Sequence, residues 1–140
     1  MADGTFEKVT HSDRPFYGAR KLLICGFSSK AQVKFKNLLQ MVNITDLPIV
    51  WATSGEDETC LSDLFAQPDN TGSGVSSTLP RAIVLSGITN NELHRLMDMA
   101  RKTGMKPVLW AVLTPTSETW TLKSLLGELA AERRAMQQKK

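Results

Sequence analysis

The stretch PVLWAVLTPTSETWTLKSLL, Pro107 to Leu126, restates a phrase the chain has already used at Pro48 to Phe65, PIVWATSGEDETCLSDLF. Each copy is a proline, two aliphatic residues, Trp-Ala, a polar loop and a run with leucines at helical spacing. The short apolar run before each loop reads as a strand, and the leucine spacing after it reads as a helix. What precedes each copy decides the fold.

Upstream of the first copy, KLLICGF is a continuously apolar strand that stops at Gly26, and SSKAQVKFKNLLQMV follows it. Ser28 or Ser29 caps a helix there, with Phe35, Leu38, Leu39 and Val42 as one apolar stripe. Upstream of the second copy, RAIVLSGIT is a strand ending at Gly87, followed by NELHRLMDMARKTG. Thr89 or Asn90 caps this helix, Leu93, Leu96, Met97 and Ala100 face inward, and Gly104 stops it. The last run carries Leu122, Leu125, Leu126 and Leu129 at helical spacing, and its end, ELAAERRAMQQKK, is strongly helix-forming.

The chain is therefore two copies of strand, helix, strand, helix. Gly26 and Gly87 are 61 residues apart, Leu61 and Leu122 are 61 apart, and Trp51 and Trp110 are 59 apart. Two strands and two helices make a poor core alone. The expected fold is α/β: one four-stranded, mainly parallel sheet flanked by helices, with both halves in one domain. Runs such as LLIC and AIVL predict strands buried on both faces. The expected divisions are an irregular head at 1–19, the first repeat half at 20–66, a flexible Gly/Ser/Pro connector at 67–80 and the second half at 81–140. A pseudo-two-fold axis between the halves follows as a guess from the duplication.

One hundred and forty residues suffice for such a core without disulfides. Two cysteines, Cys25 and Cys60, do not make a secreted framework, and Cys25 sits in an apolar run. No stretch is long and apolar enough to span a bilayer. The head, which includes His11, mixes both charge signs and carries no signal core. The expected location is the cytoplasm, or a plastid stroma if a transit peptide has been removed.

A net charge of +3 conceals an uneven distribution. Arg14 to Lys36 holds six basic residues and no acid; Asn37 to Pro80 holds six acids and no base. The last sixty residues hold ten bases and five acids. Such a split either steers an acidic partner or a nucleic acid, or simply keeps two solvated faces apart.

The search for chemistry returns no catalytic, metal-ligating or cofactor set. CxxC, HxxxH and HExxH are absent, and Ser86 before Gly87 is no nucleophile elbow because GxSxG is missing. His94 lies beside an apolar helix stripe and has no acid or serine placed with it by pattern. The strand-to-helix turns CGFSSK and SGITNN are candidate anion cradles, with Ser28, Ser29, Lys30, Lys34, Thr89 and Asn90 as the residues. Neither matches a nucleotide-binding fingerprint, and ordinary capping explains both. Lys30 and Lys34 share a helix face, and with Arg14, Arg20, Lys21 and Lys36 and the rings of Phe16 and Tyr17 they are also a candidate nucleic-acid surface. Trp51 and Trp110, read as equivalent strand positions, are expected in the core. Trp120 either folds back on the strand ends or serves recognition. A candidate partner surface comprises Ser54 and Glu56 in one loop and Thr114, Thr116, Ser117 and Trp120 in its counterpart.

The second half also carries a resemblance. Gly87-Ile88-Thr89 after a strand, Thr114-Pro115-Thr116, then Trp120, Leu122, Leu125, Leu126, Glu128 and Leu129 are similar to the pattern of the small domain family DUF3783. Ser117 stands where that family usually has Asn, and Arg133 where a His is often seen. The match covers about the last sixty residues, with a looser likeness before them. The resemblance implies boundaries and fold and brings no reaction with it. The functional expectation is a small non-enzymatic adaptor or regulatory protein with a protein partner, and with a homodimer possible through an open strand edge. An RNA-binding auxiliary factor and a small anionic-ligand sensor or enzyme stand as alternatives.

Overall fold

The computed structural model describes residues 14–105 and 107–138; His11 and the rest of the head before residue 14 lie outside them. Four strands, β1 (Lys21–Cys25), β2 (Ile49–Ala52), β3 (Ala82–Ser86) and β4 (Leu109–Val112), form one sheet in the order β2-β1-β3-β4. The four helices are α1 (Ser29–Met41), α2 (Leu61–Phe65), α3 (Asn90–Lys102) and α4 (Leu122–Gln138). β1–β2 and β3–β4 pair in parallel, and the central β1–β3 pair is antiparallel, so the sheet is mixed.

Alternation along the strands sorts the core into two layers. Leu22, Ile24, Ile49, Trp51, Ile83 and Leu85 face α1 and α3, where Phe35, Leu38, Leu39, Leu96 and Ala100 meet them. Leu23, Cys25, Val50, Ala52, Ala82 and Val84 face the opposite way, onto Leu61 and Leu64 of α2 and Leu122, Leu125 and Leu126 of α4. Both faces are covered, which is why the strand sequences are continuously apolar.

The antiparallel pairing puts the duplication on a pseudo-two-fold axis. Leu23 is opposite Val84, its own counterpart 61 residues on, and the pairs Lys21–Ser86 and Cys25–Ala82 exchange around that point. A second self-pair, the bridge between Cys60 and Thr121, lies on the same axis. There Leu61 N–H donates to the Trp120 carbonyl at 2.9 Å and Leu122 N–H donates to the Thr59 carbonyl at 2.9 Å. The turns obey the same symmetry. Gly26 has φ +78°, and a Cβ on it would lie 2.7 Å from Arg81 N. Gly87 has φ +66°, and a Cβ on it would lie 2.6 Å from Arg20 N. Only glycine tolerates both the left-handed backbone and that close approach.

This register corrects the reading of the tryptophans. Leu22 pairs with Ile49 and Ile83 pairs with Trp110, so the counterpart of Trp110 is Ile49. Trp51, opposite Ile24, corresponds to Val112, opposite Leu85. The offset is 61 throughout, and the 59-residue spacing of the two rings is a two-residue slip that keeps both on the same face. Trp51 is 2% exposed, whereas Trp110 is only half-buried.

The 67–80 stretch runs along the outer edge of β2. Ile49 N–H donates to Asp69 Oδ1 at 2.8 Å, Asn70 N–H to the Ile49 carbonyl at 2.7 Å, and Trp51 N–H to the Thr71 carbonyl at 2.9 Å. Buried Gln32 of α1 holds the rest, donating to the Val75 carbonyl at 2.9 Å and accepting from Gly74 N–H at 2.8 Å. Among the described residues no segment does this for β4.

Candidate binding site

Most of the sequence-chosen residues work as local caps. Ser28 accepts from Ala31 N–H at 3.2 Å, and Thr89 accepts from Glu92 N–H at 3.1 Å, so the two helix starts correspond at the 61-residue offset. Ser29 N–H is taken by Ser76 Oγ, and Asn90 opens α3. The turns holding these residues lie at opposite ends of the antiparallel β1–β3 pair, so Ser28, Ser29, Lys30 and Lys34 do not share a site with Thr89 and Asn90.

The two loop sets, by contrast, are brought together by the axis, with the Asp57 carbonyl accepting from Lys123 N–H at 2.7 Å. Ser54 bonds Thr78 through its hydroxyl. Glu56 accepts from Thr53 N–H and from Gln67 Nε2. Burial pushes its carboxyl up, but these bonds outweigh it and hold the group below its ordinary value. Its counterpart Ser117 is buried and does the same for Thr114 N–H at 3.0 Å. Thr116 is exposed, and its carbonyl accepts from Thr119 Oγ1. Trp120 precedes α4 and packs, half-buried, against the core layer under α2 and α4.

Two arginines carry more: Arg20, read from sequence only as one base of the candidate nucleic-acid surface, and Arg81, which sequence reasoning passed over. Arg20 Nη1 and Nη2 hold both oxygens of Glu92 at 2.8 and 2.9 Å, while Nη2 and Nε hold both oxygens of Asp46 at 2.9 and 3.1 Å. The guanidinium holds the Glu92 carboxyl at about 2, against burial that pushes it up. Arg81, its counterpart, lies with its guanidinium carbon 4.2 Å from the centre of the Phe27 ring. Its Nε is buried with no acceptor among the described residues, and burial lowers its pKa. It lines a cavity of about 570 Å³ with Ser28, Lys30, Lys34 and Asn37. The signal was in the sequence: a strict offset of 61 pairs Arg20 with Arg81 and Glu92 with Ala31.

The outer edge of β4 is the other open feature. Leu109 and Leu113 N–H donate to carbonyls on the β3 side, so by alternation the amides of Trp110 and Val112 point outward. One side of this edge carries a notch of about 210 Å³ lined by Met97, Arg101, Met105 and Trp110. The other carries one of about 440 Å³ lined by Arg81, Leu109, Arg133 and Arg134.

Cys25 is buried and its thiol is pushed up to about 12, chiefly by burial. Among the described residues no group of three His, Cys, Asp or Glu side chains is placed to hold a metal ion, and no helix is long and apolar enough to cross a membrane. His94 is exposed on α3.

No curated protein and no solved structure matches the chain. Residues 81–136, from Arg81 through β3, α3, β4 and most of α4, match the family model described as Domain of unknown function (DUF3783), so the second repeat half is similar to that family.

Proposed function

We propose that this protein is a non-enzymatic adaptor that takes an extended segment of an acidic protein partner along the outer edge of β4. The observation that carries the reading is the difference between the two sheet edges. In the first half the outward backbone groups of β2 are taken up by the turn at residues 69–71, through Asp69 Oδ1, Asn70 N–H and the Thr71 carbonyl. The corresponding groups of Trp110 and Val112 have no such cover among the described residues. Exposed strand edges bind peptides by main-chain pairing, with alternate side chains entering notches on the two faces. Here one notch is floored by Trp110 and Met97, and the other is rimmed by Arg133 and Arg134. An alternating apolar and acidic segment fits both.

The test uses the full chain as bait in nuclease-treated lysate, beside Val112→Pro. Proline there removes an outward N–H and leaves the β3 ladder intact, as edge strands allow. The reading expects a partner retained by the native chain, lost with Val112→Pro and weakened by salt. Equal capture by both chains contradicts it. If light scattering instead finds a dimer that Val112→Pro converts to monomer, the edge belongs to a second copy. If the capture is nucleic acid that nuclease removes, the RNA reading takes its place.

A further inference from the structure

The two arginines related by the axis differ in one respect. Among the described residues Arg20 has two carboxylates and Arg81 has none. At the 61-residue offset, Ala31 stands where Glu92 would be and Pro107 where Asp46 would be. On the same helix Arg95 reaches the Val42 carbonyl at 2.8 Å, while its counterpart is the shorter Lys34. These three replacements strip the Arg81 side of both acids and leave a cavity of about 570 Å³ there. No acid lines it, and Lys30 and Lys34 form no ion pair with a described residue.

We propose that this cavity is a binding site for a small polycarboxylate, with Arg81 taking one carboxylate as a fork and Lys30 and Lys34 charging the second. The internal copy supplies the template, since Arg20 holds two carboxylates on two edges of one guanidinium. The edge of Arg81 that carries Nε corresponds to the edge Asp46 serves, and this Nε is the buried donor without an acceptor. Contact of the guanidinium carbon with the Phe27 ring, 4.2 Å from its centre, restrains the fork before a ligand arrives. A buried donor without an acceptor is costly, and a carboxylate offsets that cost with charge-assisted bonds. The volume lies within the range of about 300–1,000 Å³ usual for small-molecule sites. Guanidinium suits the planar, bidentate carboxylate, whereas lysines act as point charges on the far end. The site lies between α1 and the turn after α3 and does not involve the amides of Trp110 and Val112, so it stands or falls apart from the adaptor reading.

The experiment is thermal melting and calorimetry of the full chain with citrate and succinate, against acetate, inorganic phosphate and sulfate at matched ionic strength. Citrate is expected to raise the melting temperature saturably, and Arg81→Gln to weaken it roughly 10–100-fold, the loss expected for charge-assisted bonds to one group. Arg81→Gln removes packing on Phe27 as well, so Ala31→Glu is the second variant. It puts a carboxylate at the Glu92 counterpart, keeps the fold, and is expected to abolish the citrate response by satisfying Arg81 from within. A citrate response retained in both variants overturns the proposal. So does the absence of saturable binding to the native chain, and so does an equal response to phosphate and sulfate.

Discussion

Leu23 and Val84 face each other at the centre of the β1–β3 pair, and each is the other's counterpart in the duplication. A pair that maps onto itself marks an axis, and the Cys60–Thr121 bridge marks it a second time under α2 and α4. The symmetry is close enough to serve as an internal control: where one half departs from the other, the departure is local and nameable.

The first prediction concerns the two turns. Gly26→Ala and Gly87→Ala both force a Cβ onto a left-handed backbone and against the chain crossing beside it. Each is expected to cost about 2–4 kcal/mol in urea unfolding, by strain and close contact. A loss at one site with none at the other contradicts the symmetry.

The tryptophans are expected to separate. Trp51→Ala removes a ring with 2% exposure that touches Phe27 at 6.4 Å between ring centres and carries Lys36 at 5.7 Å. Its cost is roughly 3–5 kcal/mol. Trp110→Ala, on the open edge, is expected to cost about 1–2 kcal/mol, because its ring is only partly buried. Equal losses in denaturant titrations contradict the two-residue slip.

Acid stability depends on Glu92. Its carboxyl is held at about 2 when folded, against an ordinary value near 4.5. A depressed carboxyl stabilises fully above its unfolded value, and the contribution disappears as pH falls from about 4.5 to about 2. Discounted for solvent around Arg20, whose side chain is 34% exposed, the effect is about 1–2 kcal/mol. Glu92→Gln is expected to flatten the stability profile in that window; an unchanged slope contradicts the role given to the Arg20 pair.

Thiol titration distinguishes the cysteines. Cys25 is fully buried with its thiol raised to about 12, and Cys60 is partly exposed with Sγ near the Thr119 carbonyl. One thiol is expected to react with an aromatic disulfide reagent in the native protein and both after unfolding. Two fast native thiols contradict the packing around Cys25.

Much of the architecture was legible because it repeats short-range patterns. The strands, the caps at Ser28 and Thr89 and the stripes of Phe35, Leu38 and Leu39 follow from local spacing. The antiparallel centre of the sheet did not, since strand order depends on contacts between halves. Residues 67–80 read as a connector by composition, yet the Asp69 carboxylate and the Asn70 and Thr71 backbone complete the β2 edge, a placement that composition does not report. Gln32 breaks an apolar stripe, a visible anomaly whose partners, Gly74 and Val75, are distant in sequence. The candidate loops drew attention through polar residues that are spent on capping. Arg81 went unremarked because a single arginine before a strand has no pattern, and only its comparison with Arg20 gives it meaning.

The measurement that tests the central claim most directly is amide hydrogen exchange, residue by residue, in the free chain. Ile49 and Trp51, whose N–H groups bond Asp69 and Thr71, are expected to exchange slowly. Trp110 and Val112, their counterparts, are expected to exchange fast and to become protected when a partner segment binds. Protection of Trp110 and Val112 in the free monomer equal to that of Ile49 and Trp51 would mean that the β4 edge is already covered, and the adaptor reading would fall.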